Sequence, residues 1–177
     1  MPRTKKEYLF IDGYNIINQW KTLKNYTDSI ENSRNKLIES LIEYKAFKGI
    51  NVIVVFDAHM VKGSSEKKEY ISGVEVVYTK ENETADSYIE RQLDKIGRAE
   101  IVRVATSDNY IQQIVLARGG TRLSAEEMYI EITNTKNEIK QKTDTIKQNN
   151  IKIHNVLDIS TIEKLEKLRN TIKWLDY

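Results

Sequence analysis

The stretch "YLFIDGYNIIN", residues 8–18, runs apolar from Tyr8 to Ile11 and then meets a carboxylate at Asp12. Four consecutive apolar residues suit a strand covered on both faces. Gly13 offers a sharp turn, and Tyr14 and Asn15 add polar groups before Ile16 and Ile17 resume the apolar pattern. Burying a lone charge at the end of such a strand is costly. Asp12 is therefore expected to belong to a site rather than to the core.

Similar runs recur along the chain. "NVIVVFD" (51–57) is apolar from Val52 to Phe56 and ends in Asp57. "VEVVYT" (74–79) and "IVRVA" (101–105) are further strand candidates, with a weaker one near 121–123. Helical periods lie between them: residues 30–47 align Ile30, Leu37, Leu41 and Tyr44, and residues 85–96 align Ala85, Ile89, Leu93 and Ile96. Residues 108–118 carry Ile111, Ile114, Val115 and Leu116, with Gly119 and Gly120 supplying a C-terminal cap. Ser124 and Glu127 form a capping box that opens a helix through Met128 and Ile132, and a last helix is expected near 160–173. Such alternation predicts an α/β fold with a mainly parallel sheet and right-handed crossovers. Two stretches interrupt it. Residues 61–73, polar and rich in Lys, read as a mobile loop or hairpin, and 133–152, with a thin apolar stripe, as a solvated helix.

In open α/β sheets, sites form beyond the carboxyl ends of the strands. Asp12, Asp57 and Asp108 follow the first, second and fourth strands, and Asp86 lies in the first turn of the helix after the third. Singly, some have plain explanations: Asp86 suits a helix N-terminus with Thr84 as cap, Ser107 or Asp108 suits another cap, and "FDAH" suits a turn. Together they say more. Two carboxylates about 4 Å apart repel by roughly 4 kcal/mol at an effective dielectric near 20, so a cluster needs protons or a cation. Oxygen donors without cysteine or paired histidine favour Mg²⁺ or Mn²⁺ over zinc. Such an ion activates water and stabilises charge on a phosphoryl group. Asn15 is placed to hold a water or a phosphate oxygen, and Thr106 and Ser107 to support the site by hydrogen bonds.

Composition sets the remaining bounds. A chain of 177 residues is expected to form one domain, 1–177, with 133–177 as a helical C-terminal extension of it. The 40% hydrophobic and 31% charged fractions suit a soluble globular protein, and a net charge of +2 is too small to name a nucleic-acid partner. Any basic surface has to be local. The absence of cysteine excludes disulfides, thiolate metal sites and a Cys nucleophile. The first residues lack a signal-peptide pattern, and no apolar run approaches the roughly 20 residues that span a bilayer, so a cytoplasmic protein with no membrane partner is expected.

"FIDGYNIIN", "VVFDAH", "VVYTKENETADSYIE" and "VATSDNYIQQ", in this order and at these spacings, resemble the NYN-domain proteins of the YacP type, and "GGTRLSAEEM" fits as well. These are PIN-like nucleases, and the type includes the ribosome-associated A-site endoribonuclease. The resemblance implies a PIN-like (NYN) three-layer α/β fold, its mainly parallel central sheet flanked by helices. It also implies a metal-dependent endoribonuclease acting on mRNA in or near the translating ribosome, with ribosomal RNA as a partner. By match of motif, Asp12, Asn15, Asp86 and Asp108 are the implied active-site residues, with Asp12, Asp86 and Asp108 as ligands of Mg²⁺ or Mn²⁺. Asp57 is a lesser candidate. Glu90, four residues after Asp86 on the same helix face, is a candidate further acid.

Other residues carry weaker signals. His59 follows Asp57, but a lone loop histidine is more often a surface or packing residue, and His154 is weaker still. Tyr14 and Tyr110 flank the acids and are candidates for stacking on an unpaired base, worth roughly 1–3 kcal/mol. Packing is an equally ordinary use for either ring. Lys62, Lys67 and Lys68, and later Lys136, Lys140, Lys142 and Lys147, are candidate phosphate contacts, with solvated faces as the plain alternative. A haloacid-dehalogenase-type phosphatase would need an acid where Tyr14 stands. A receiver domain fits poorly, because the third strand ends in Thr79. No Gly-rich phosphate loop follows the first strand. The remaining alternatives are a non-catalytic RNA- or ribosome-binding module on a nuclease fold and a free-standing PIN-type RNase.

Overall fold

The structure, a computed structural model, describes residues 4–24, 29–57, 65–156, 161 and 163–167, with side chains in the long terminal helix described through Gln148. Two compact units are present, Met1–Lys136 and Asn137–Tyr177. The first holds a six-stranded sheet of order β3-β4-β2-β1-β5-β6. Its strands are β1 (Glu7–Asp12), β2 (Asn51–Phe56), β3 (Lys67–Ile71), β4 (Val74–Tyr78), β5 (Ile101–Ala105) and β6 (Thr121–Leu123). All neighbours pair parallel except β3 and β4. The mainly parallel α/β arrangement expected from the sequence is the one observed.

Side-chain alternation explains why the central strands are apolar throughout. Leu9, Ile11, Val52, Val54 and Phe56 face one layer, where they meet α1 (Gly13–Gln19), α2 (Lys21–Lys24), α3 (Ile30–Lys48) and the start of α6 (Ala125–Val156). Phe10, Ile53, Val55 and Val104 face the other, packing on Tyr88, Ile89 and Leu93 of α4 (Ala85–Ile96) and on Ile111 and Val115 of α5 (Asn109–Ala117). Most central positions are buried on one side or the other, Arg103 of β5 being part-exposed, as period-two geometry demands of a sheet sandwiched between helices. The capping signals hold as well. Ser124 and Glu127 exchange backbone-to-side-chain bonds, and Gly119 adopts a left-handed conformation (φ 79°) just past α5.

Two segments differ from expectation. The chain does not turn after Asp12; α1 starts at once, capped by the Asp12 carboxylate, whose Oδ1 accepts from the Asn15 N–H at 3.1 Å. Gly13 is there for proximity. A Cβ at this position would lie 2.2 Å from Cε1 of Phe56, so only glycine lets α1 leave β1 against the end of β2. We expect Gly13→Ala to lower stability by roughly 1–3 kcal/mol through overpacking. Urea unfolding checks this, and an unchanged midpoint would refute the close approach.

The second difference is the polar stretch 61–73. Residues 58–64, with His59 and Lys62, lie outside the described residues, as does His154 as a side chain. Beyond them Lys67–Ile71 is a regular strand, joined to β4 through Ser72 and Gly73 at positive φ (48° and 85°). A Ser-Gly pair with positive φ twice suits the tight turn of a hairpin. The hairpin alternative therefore describes 67–78. Strand β3 escaped the pattern because it is a mostly exposed edge with no apolar face to reveal it.

The second unit, described by itself, is helical: α6 continues through Val156, and Thr143 and Thr145 bond back to carbonyls one turn earlier. Its described side chains from Lys140 to Gln148 are exposed, in keeping with the solvated helix expected at 133–152. In the last expected helix, near 160–173, residues 161 and 163–167 are helical and the others lie outside the described set.

Candidate active site

At the carboxyl edge of the sheet, parallel pairing sets the ends of β1, β2, β4 and β5 side by side. Asp12 is the last residue of β1, Asp57 follows β2, Asp86 lies in the first turn of α4 after β4, and Asp108 caps α5 after β5. All four are half-buried. They also feel one another. Burial, together with the charges of Asp86, Asp57 and Asp108, pushes the Asp12 carboxyl up to about 7, against a lowering by its bond from the Asn15 N–H. Burial, then Asp108 and Asp57, raises Asp86 to about 6.

Hydrogen bonds fix this edge from several sides. The Asn15 side-chain oxygen accepts from the Ser107 N–H at 3.0 Å, tying the first turn of α1 to the loop before α5. Asp108 Oδ1 accepts from the N–H groups of Tyr110 (2.8 Å) and Ile111 (3.2 Å). Thr106 is fully buried; its hydroxyl accepts from the Asp108 N–H, and its carbonyl accepts from Gln112 Nε2 at 2.8 Å. Thr106 and Ser107 thus stand where supporting residues were expected. Gln112, inside the motif "VATSDNYIQQ", is a further support that the sequence reading did not single out.

Tyr14 packs edge-on against Phe56 (centroids 5.2 Å apart) and its hydroxyl accepts from Arg34 at 3.5 Å. Tyr110 is 66% exposed beside Asp108, open to a partner ring. Glu90 is drawn elsewhere: its carboxylate and carbonyl are both engaged by Arg118. Lys67 pairs with Glu69, and Lys68 pairs with Glu66 and Glu75 and lies 5.4 Å from the ring centroid of Tyr88.

The donor chemistry at this edge fits a hard divalent cation. Asp86 Oδ1 is buried and has no hydrogen-bond partner among the described residues, a costly state that a cation would relieve. The side chains are not gathered around one point, however: among the described residues no three His, Cys, Asp or Glu groups are arranged to hold a metal ion. Also among these residues, no helix is long and apolar enough to cross a membrane.

Fold and edge together define a three-layer α/β domain with acidic side chains at the carboxyl ends of its parallel strands. The chain belongs to the YacP-like NYN domain family, whose model matches residues 9–170. It is 42% identical over 138 residues to the uncharacterized protein YacP of Bacillus subtilis (strain 168), a match covering 77% of this chain and 81% of that protein. Its structure is similar to the crystal structure of Rae1 (YacP) from Bacillus subtilis, with TM-score 0.69 and 38% identity over 92% of this chain and 94% of that one. A single-substitution mutant of the same protein matches with TM-score 0.67 and 37% identity, over 79% and 82% of the two chains. The resemblance carried by the four motifs is borne out.

Proposed function

We propose that this chain is a metal-dependent endoribonuclease that cuts mRNA in association with the translating ribosome, in the cytoplasm. The observation that carries the proposal is the carboxyl edge itself, where Asp12 and Asp86 are held at about 7 and about 6 by burial and by their neighbours' charge. Such an edge is costly without a counter-charge, and functional sites are where such costs are tolerated. Asp12, Asp86 and Asp108, with Asp57 in a lesser role, would hold Mg²⁺ or Mn²⁺. When bound, the ion supplies an activated water and offsets charge on the phosphoryl group. Asn15 orients Asp12 through the capping bond and holds Ser107 in place, so that both sides of the cleft keep register. Tyr110, exposed at the rim, and Tyr14 offer rings to unpaired bases.

The ribosome and its RNA enter as delivery partners, because a net charge of +2 gives little general attraction to a free strand. Exposed Lys140, Lys142 and Lys147 on α6 are candidate contacts for ribosomal phosphates. Lys67 and Lys68 are candidates as well, each also paired with nearby glutamates. One observation favours a second reading, a non-catalytic RNA-binding module: no three acids are gathered for a metal among the described residues. The experiment that separates them is cleavage of one defined mRNA, translated and untranslated, with and without Mg²⁺ or Mn²⁺. We expect metal-dependent cuts in the translated message. Intact RNA in every arm, with binding retained, would establish the module instead. Equal cutting without translation would make it a free-standing RNase.

A further inference from the structure

Beside the acidic edge lies a cavity of about 650 Å³, lined by residues of the α1–α2 junction, the loop before α5 and the start of α6. Pockets of roughly 300–1,000 Å³ are the usual size for small ligands. Its walls include Gln19, Trp20, Lys21, Ser107, Glu126 and Tyr129. Ser107 is shared ground: its N–H is held by Asn15, and the next residue is Asp108. The cavity therefore begins where the acids end.

We propose that this cavity binds the base of a nucleotide flanking the phosphate held at the acidic edge. The proposal rests on the nuclease function above for its substrate class. Tyr129 is 39% exposed, and its ring meets Trp20 edge-to-face at 5.4 Å and 74°. Trp20 is itself fixed, 5% exposed with its indole N–H donating to the Ala125 carbonyl at 2.7 Å. A pre-oriented aromatic with one side open is what base stacking requires, and every base has a π-face to offer it. The charges set the orientation. Glu126 is exposed and repels phosphate while accepting from base amino or ring N–H groups, whereas Lys21, also exposed, attracts phosphate. The base thus enters toward Tyr129 and Glu126, and its phosphate stays near Lys21.

The chain has two tryptophans, Trp20 and Trp174, so a Trp174→Phe background leaves Trp20 as the sole indole reporter. Titrating the four ribonucleoside 5′-monophosphates without metal should give saturable quenching of Trp20 by at least one of them. Tyr129→Ala should weaken that binding about tenfold, as loss of one stacking ring does, and Tyr129→Phe should restore it. Asp12→Asn should bind like the parent, because the cavity does not use that carboxylate. No saturable quenching by any of the four, or equal affinity in Tyr129→Ala, would overturn the proposal. So would loss of binding in Asp12→Asn, which would put the nucleotide at the acids instead. Binding that persists in a protein unable to cut RNA under any condition would refute the nuclease function and leave the cavity a nucleotide site.

Discussion

Asp12→Asn is expected to abolish the proposed cleavage and, in the metal-free protein at pH 8, to raise the melting temperature by roughly 8–16 °C. Asparagine keeps the side-chain oxygen that accepts from the Asn15 N–H, so α1 remains capped. What it removes is the charge. With Asp12 holding the ion as proposed, its loss should cost more than the roughly 100-fold seen for outer-shell partners of metals. The gain in stability follows from linkage. In the folded chain the Asp12 carboxyl lies at about 7 instead of 3.8. Between those values the native state binds more protons than the unfolded one, so the metal-free parent loses stability as pH rises from about 4 to 7 and then levels off. The full difference is about 4 kcal/mol. Thermal melts in chelator across pH 4–9 test this: parent and variant should converge near pH 4 and separate above it, and added Mg²⁺ should close the gap from the parent's side. Parallel curves would mean that Asp12 is not strained by its neighbours. Unchanged cleavage would remove it from the site altogether.

Arg103→Ala should destabilise the fold by roughly 3 kcal/mol, the next largest effect we expect, without touching the acids. Arg103 stands mid-strand in β5, its side chain 19% exposed, and pairs with Glu131 of α6 and, at 3.6 Å, with Glu7 of β1. It also donates to the Tyr44 hydroxyl of α3 at 3.3 Å, and Tyr44 in turn donates to Glu131 at 2.6 Å. Burial and the Glu131 bond push the Tyr44 hydroxyl up to about 12, so it stays a donor at any working pH. Removing the guanidinium leaves Glu131 half-buried and without its cation. Lysine should recover only part of the loss, since a single ammonium cannot reproduce the fork that reaches hydroxyl and carboxylates together. Pairing Arg103→Met with Glu131→Gln should recover more than either change alone, because both charges then leave. Equilibrium denaturation of the five variants, three single changes at Arg103, Glu131→Gln and the double change, measures this. Additive losses would show that the two side chains act independently.

What the sequence disclosed follows from where physical signals are local. The apolar runs of β1, β2, β4 and β5 were legible because strands covered on both faces are mostly apolar, with Glu75 and Arg103 as interruptions. Helices α3, α4 and α5 were legible because each has one buried stripe, and the acids because a carboxylate ending such a strand is conspicuous. Helix α1 was not. "DGYN" has the residues of a turn, and the Phe56 ring that makes Gly13 necessary lies 43 residues away. Strand β3 was hidden by its charged start, Lys67, Lys68 and Glu69, and such charges are an edge strand's protection against unwanted pairing. Glu90 fitted the site by spacing on its helix, yet its fate is decided by Arg118, 28 residues on. The Asn15–Ser107 bond and the Trp20–Tyr129 corner are likewise long-range, and nothing adjacent in sequence announces them.

The order of strands also governs when this protein becomes competent during its own synthesis. Strand β1 lies between β2 and β5, with Ile11 beside Val54 on one side and Ala105 on the other. Parallel partners cannot be joined by a hairpin; each must wait for a long crossover to be completed, and such distant pairings form late. A growing chain that has released only its first half therefore carries Asp12, Asp57 and Asp86 on an incomplete sheet, with one side of β1 unpaired. Asp108 joins that edge only after β5 has docked and its helix has formed. A truncated or stalled copy of this polypeptide carries an incomplete acidic edge, since Asp108 waits for the last central strand.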